Sequence, residues 1–260
     1  MVEKVSSIKY FFRESGEGNN VLKRTIIGII RETYEKMDSL YSYVPNDLRL
    51  YESILNRNLS KGYNHIVMSD IPNNVSTKKP NILLRHDVDS DHKETILRMA
   101  EIEKQFGIRS SIQIRVDGLA YDPVSFKSLV KKLYNLGFEI GLHSFCYSHK
   151  RYMKRFDWEV QTFNDIFGFN PQCFSQHGIG SMVERRKAFN MKVRDAKKRN
   201  NIPVSDCGGH DINYILKLQD CNMRKGEKKH HITNHFVEIP KIPFSKGRVI
   251  LMMTHPKKWK

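Results

Sequence analysis

From residue 81 onward the chain alternates short apolar runs with longer amphipathic stretches, and glycines fall between them. The run Ile82–Asp87 predicts a strand, and its apolar lead, Ile82, Leu83, Leu84 and the stem of Arg85, fits one buried on both faces. Helical spacing follows over His92–Phe106, closed by Gly107, and a strand over Arg109–Val116 comes next. The loop Gly118–Pro123 leads to a helix at Val124–Asn135, closed by Gly137. A strand at Phe138–His143 precedes a helix at Lys154–Phe167, closed by Gly168, and a strand at Cys173–His177 precedes a helix at Met182–Lys198. Short strands are expected at Pro203–Asp206, His235–Ile239 and Arg248–Thr254. Strand and helix in strict alternation imply a parallel sheet covered by helices. The number of units favours a closed or partly closed β/α barrel over an open doubly wound sheet. No glycine-rich nucleotide-binding motif follows any strand.

Before residue 81 the pattern is looser. Val21–Asp38 carries Leu22, Ile26, Ile29, Ile30 and Tyr34 on one helical stripe. Such a helix could pack on the main domain, join two copies or lie on a membrane, with packing the default. Asp47–Asn58 reads as a second helix with Asp47 near its start, and Tyr63–Met68 as a short strand. The division expected is an N-terminal helical extension over residues 1–45 and a main domain over residues 46–260.

Composition narrows the classes. With 39% hydrophobic residues in 260, the chain can bury a core. No apolar run approaches the roughly 18–20 residues that span a bilayer. The opening MVEKVSSIKYFF lacks the apolar centre of a secretory leader, and the four cysteines have no CxxC spacing. Both point to a reducing, cytoplasmic setting. The formal net charge of +16 favours anionic partners. No helix-turn-helix, zinc-finger or RNP-type pattern accompanies it, so a specific nucleic-acid partner is not expected.

The chemistry lies where the strands end. The first runs into His86-Asp87-Val88-Asp89, another ends in His143-Ser144, another in His177-Gly178, and the last in His255-Pro256. In a β/α barrel all such ends open on one face. Residues two apart on a strand point the same way, so Asp87 and Asp89 should project together, and two adjacent carboxylates ask for a cation or a shared proton. Asp beside neutral His suits zinc or another divalent transition ion. A second carboxylate can take a proton from water, and a separate His can protonate a leaving group. This is equipment for metal-assisted hydrolysis of an amide or ester.

At LLRHDVD, EIGLHS, FSQHG and LMMTHPKKW the chain resembles the polysaccharide deacetylase superfamily, the NodB-like carbohydrate esterases, in the branch whose first motif reads RHDVD. The resemblance covers roughly residues 47–260. It implies a distorted β/α barrel, a divalent metal (zinc first) and removal of an acetyl group, typically N-acetyl, from a sugar. It casts Asp87 as general base, Asp89 and His143 as metal ligands and His255 as general acid. Val88 between the two Asp residues departs from the family's Asp-Asp pair. The family's His-(Ser/Thr)-x-x-His element keeps His143 and Ser144, but its last place holds Tyr147. The third ligand is therefore His177 or His149, or there is none. His177 could instead contact substrate, as could Arg115 and Trp259, the latter by covering the site or else by packing. Arg85 and His86 would orient the carboxylates.

The expectation is a metal-dependent deacetylase acting on a carbohydrate or sugar conjugate, in the making of a surface polysaccharide. The positive charge would suit an anionic substrate or work at an anionic membrane face. The alternatives are a glycan-binding relative that has lost metal and, less favoured, a basic nucleic-acid-binding protein.

Overall fold

A computed structural model describes residues 47–70, 76, 78–145, 152–177, 214–220 and 249–260. The helix α1 (Leu48–Ser60) begins at Asp47, whose carboxylate accepts the backbone N–H of Arg49 at 2.8 Å. This satisfies one of the donors a helix start leaves open. Next come β1 (Asn64–Ile66) and β2 (Asn81–Val88), then α2 (Lys93–Gln105), β3 (Ser111–Ile114), α3 (Lys127–Asn135), β4 (Glu139–Ser144), α4 (Tyr152–Phe167) and β5 (Phe174–Gln176). The strands β6 (Tyr214–Gln219) and β7 (Val249–Thr254) complete the sheet. Gly107 and Gly137 turn the chain from helix to strand at φ +66° and +88°, a region that side chains disfavour.

All pairings are parallel, in the order β5-β4-β3-β2-β7-β6, and β1 pairs with the first half of β2. The α/β architecture is a half-barrel: among the described residues β5 and β6 are its two edges. The strands expected at Pro203–Asp206 and His235–Ile239, the helices at Val21–Asp38 and Met182–Lys198, and the whole extension over 1–45 lie outside the described residues. The strand β6 falls in a stretch to which the sequence reading assigned no element.

The period-two alternation of β2 sorts its side chains onto two faces. Ile82 and Leu84 join Tyr51, Ile54, Leu55, Ile250 and Met252 in a core under α1 and α2. A second core gathers Ile112, Ile114, Ile140, Leu142, Phe156 and Phe163 under α2, α3 and α4. On the opposite face Leu83 packs with Ile66, Met68, Val249 and Leu251 at the N-terminal end of the sheet. Further along that same face come Arg85 and Asp87 on β2, Gln113 on β3, Gly141 and His143 on β4, then Cys173 and Ser175. The half-barrel therefore has an apolar floor and a polar upper interior, which leads to the strand ends.

Gly141 is fixed by this interior. A Cβ there would lie 2.7 Å from Cys173 Sγ and closer still to the side-chain amide of Gln113. Gln113 Nε2 itself donates to Cys173 Sγ at 3.0 Å, and both residues are fully buried. We expect Gly141→Ala to lower the unfolding free energy by about 1–3 kcal/mol, the usual range for overpacking. The urea midpoint measures it, and an unchanged midpoint would show that Gln113 can move aside.

Candidate metal centre

Four strand ends meet at one rim. Asp87 is the penultimate residue of β2 and Asp89 follows its end, His143 sits near the end of β4, and His177 and His255 follow β5 and β7. Asp89 lies at the middle. Its Oδ1 is 3.4 Å from His143 Nε2 and 3.5 Å from His177 Nε2, and its Oδ2 is 3.7 Å from His255 Nε2. Asp87 Oδ2 is 3.9 Å from His143 Nε2. One donor atom from each of Asp89, His143 and His177 falls within 4.8 Å of the others. His149, the other candidate third ligand, lies outside the described residues.

The His143 and His255 rings are held by their far nitrogens, whereas His177 Nδ1 is buried without a hydrogen bond. The His143 and Ser175 backbones are partners across β4 and β5, and His143 Nδ1 is 2.7 Å from Ser175 Oγ, which leaves Nε2 facing Asp89. Burial keeps His177 neutral, with its pKa lowered to about 3. A neutral imidazole is the form that binds a metal. Burial also opposes charge on Asp89, but the His177, His143 and His255 rings outweigh it and hold this carboxyl well below the ordinary range. Its Oδ1 is nevertheless buried without a hydrogen bond. Two imidazoles and an ionised carboxylate with an unsatisfied oxygen make a donor set that fits a divalent ion of the zinc type.

The other two residues are tuned in opposite senses. Asp87 pairs with Arg85 at 2.8 Å, and both are buried. Burial disfavours the Asp87 charge, yet Arg85, His143 and His255 together hold its carboxyl below the ordinary value. Its second oxygen, Oδ1, is buried and has no hydrogen bond. Burial works against the His255 imidazolium as well, but Asp220 more than offsets it, helped by Asp89 and Asp87, so the pKa is raised. Asp220 Oδ1 is 2.6 Å from His255 Nδ1, and Asp220 Oδ2 accepts the backbone N–H of His255 at 2.7 Å and Trp259 Nε1–H at 2.9 Å.

Two expectations change here, and one residue is added. Trp259 was a candidate for substrate contact, but it is only 1% exposed; its ring packs edge-on to Tyr51 and its N–H is given to Asp220. Its place is behind His255, away from any substrate. His86 was expected to orient the carboxylates, but as a neighbour of Asp87 on a strand it faces the other side and bonds Thr254 and Glu103. Asp220 was not foreseen at all. Its signal was present but weaker: YILKLQ runs into the ionisable Asp220, as the other strands run into theirs, with Lys217 and Gln219 interrupting the apolar pattern.

Around the rim, Arg115 donates to Asp117 at 2.6 Å, so its charge is matched within the protein, while its Nε is buried without a hydrogen bond. The hydroxyl of Tyr121 accepts the Arg115 N–H and donates to the Val88 carbonyl, tying β3 to β2. On α4, Glu159 accepts from Ser144 Oγ at 2.5 Å, from the Phe145 N–H and from Arg155 Nε, which fixes the end of β4 next to His143.

No protein-family profile and no curated protein matches this chain. Solved structures do. A family 4 carbohydrate esterase from Streptomyces lividans is 18% identical and aligns over 66% of this chain and 78% of its own, with a TM-score of 0.41. The catalytic domain of a peptidoglycan N-acetylglucosamine deacetylase from Eubacterium rectale is 9% identical, over 68% and 76%, at 0.47. A CE4 family pseudoenzyme from Bacillus anthracis is 14% identical, over 70% and 56%, at 0.44. The fold brings His177, just after β5, beside Asp89 and His143.

Proposed function

We propose that this protein is a metal-dependent hydrolase that removes an acetyl group, N-acetyl first, from a carbohydrate or sugar conjugate. Residues 46–260 would form the catalytic domain. The observation that carries the reading is the convergence of Asp89, His143 and His177 on one point, with Asp87 and His255 on either side of it. Those first three residues would hold a divalent ion, zinc before others. When bound, such an ion polarises the acyl carbonyl and makes water more acidic.

The chain's own groups supply the proton transfers. Asp87, ionised and with Oδ1 free of hydrogen bonds, accepts the proton of the attacking water. His255, kept protonated by Asp220, gives its Nε2 proton to the departing amine as the bond between acyl carbon and nitrogen breaks. Asp89 and His177 are partly open to solvent, at 13% and 23% of their side chains, so substrate would enter on their side. Arg115 would meet it through Nε. Among the described residues no helix is long and apolar enough to cross a membrane, and a site beside an anionic membrane face, acting on a precursor of a surface polysaccharide, would agree with the net charge of +16.

The test is zinc or cobalt content after chelation and reloading, followed by acetate release from N-acetylated sugar oligomers. We expect about one equivalent of metal and release of acetate that chelation stops. A protein that binds one metal but releases no acetate from any acetylated sugar would be a binding relative, and one that binds no metal would rule out the mechanism.

A further inference from the structure

Behind the rim, on the face of the sheet opposite the candidate centre, runs a second set of buried polar groups. His86 and Thr254 are backbone partners across β2 and β7. Their side chains meet, His86 Nδ1 to Thr254 Oγ1, at 2.5 Å. The other nitrogen of His86 lies 2.8 Å from Glu103 Oε1 on α2, and the same oxygen accepts Tyr51 O–H from α1 at 2.6 Å. His86, Glu103, Tyr51 and Thr254 are all buried, at 2% exposure or less. Four elements are thus joined through one carboxylate oxygen and one imidazole. The proposed hydrolysis uses none of these groups.

Their position in sequence gives them a purpose. His86 immediately precedes Asp87, and Thr254 immediately precedes His255. Tyr51 also packs against Trp259, whose N–H is bonded to Asp220, the partner of His255. The three candidate metal ligands come from the β2, β4 and β5 side of the sheet, whereas His255 comes from β7 on the other side of β2. A slide of β7 along β2 would leave the three ligands together and move only His255. Such a slide is what a side-chain bond between His86 and Thr254 opposes, because polar groups held in a dry interior have no alternative partners.

Building on the hydrolase reading, we propose that His86 and Thr254, backed by Glu103 and Tyr51, form a buried clamp that sets the position of His255 relative to Asp87 and Asp89. They are positioning residues for proton delivery and have no part in holding metal.

The test compares Thr254→Val, which deletes the hydroxyl at nearly constant volume, with Thr254→Ser, which keeps it. Histidine ring nitrogens are followed by NMR in protein labelled with nitrogen-15 at histidine, the His255 signals being assigned with His255→Gln. Metal affinity is measured on the same samples. We expect Thr254→Val to shift the His255 signals while metal affinity stays within about twofold, and Thr254→Ser to restore them. In a turnover assay Thr254→Val should lower kcat about tenfold or more with little change in KM, since a small misplacement of a reacting group is costly. Unmoved His255 signals in Thr254→Val, or a Thr254→Ser protein as altered as Thr254→Val, would overturn the clamp, and so would a loss of metal affinity that parallels the shift. If the wild type released no acetate, the hydrolase reading would fall, while the NMR and metal measurements would still decide whether the clamp exists.

Discussion

Asp89→Ala is expected to abolish tight metal binding while the protein stays folded. Asp89 is the residue that the three rim histidines share, with Nε2 atoms at 3.4, 3.5 and 3.7 Å from its oxygens. Groups that merely support a metal ligand are worth about 10–100-fold in affinity, so loss of a ligand itself should exceed about a hundredfold. His177→Ala should weaken metal binding by a similar factor, and His149→Ala should leave it unchanged. Competition against a zinc-sensitive dye reads all three. A His149→Ala protein that loses the metal while His177→Ala keeps it would reassign the third ligand.

Arg85→Met should destabilise the protein by about 3–5 kcal/mol at neutral pH, because it leaves the Asp87 carboxylate buried and without its cation. The pH dependence has a definite sign. Asp87 is held below its ordinary value in the folded protein, so its pairing stabilises the fold above that ordinary value and is lost as the pH falls and the carboxyl takes a proton. The gap between wild type and Arg85→Met should therefore be widest near neutrality and narrower near about pH 3, below the ordinary carboxyl value. Urea titrations at the two pH values measure it, and equal gaps would mean that Arg85 acts through packing alone. The acid limb of kcat/KM should move up by about one pH unit or more in the variant, since burial then governs Asp87 with one fewer cation to oppose it.

Much of this site could be read before the fold was seen, for a simple reason. A parallel strand is an apolar run, and the residue that ends it leaves the dry interior at a known face. Asp87, Asp89, His143, His177 and His255 all carry that signature, and the alternation of β2 places Arg85 on the face of Asp87. The same alternation sends His86 to the other face, so its role beside the carboxylates could have been excluded from the sequence. Asp220 was missed because Lys217 and Gln219 interrupt its apolar run and a basic stretch follows it, so that no strand was assigned there. Trp259 was ambiguous because its partner, Asp220, is 39 residues away and on a strand that had not been recognised. Local periodicity carries no information about such a pair.

The place of β7 also bears on how the molecule comes to exist. It lies between β2 and β6, yet it follows every other strand of the sheet in the chain, and His86 and Thr254 meet across 168 residues of sequence. A nascent polypeptide that has not yet produced Thr254 therefore leaves one flank of β2 bare and β6 without its neighbour. Unpaired apolar strands are prone to join the wrong partner, and closing so long a loop is slow. Ribosome-bound chains stalled before residue 249 should be held by chaperones or aggregate, and release should be followed by a single late step in which the seam closes and the rim of the candidate centre is assembled.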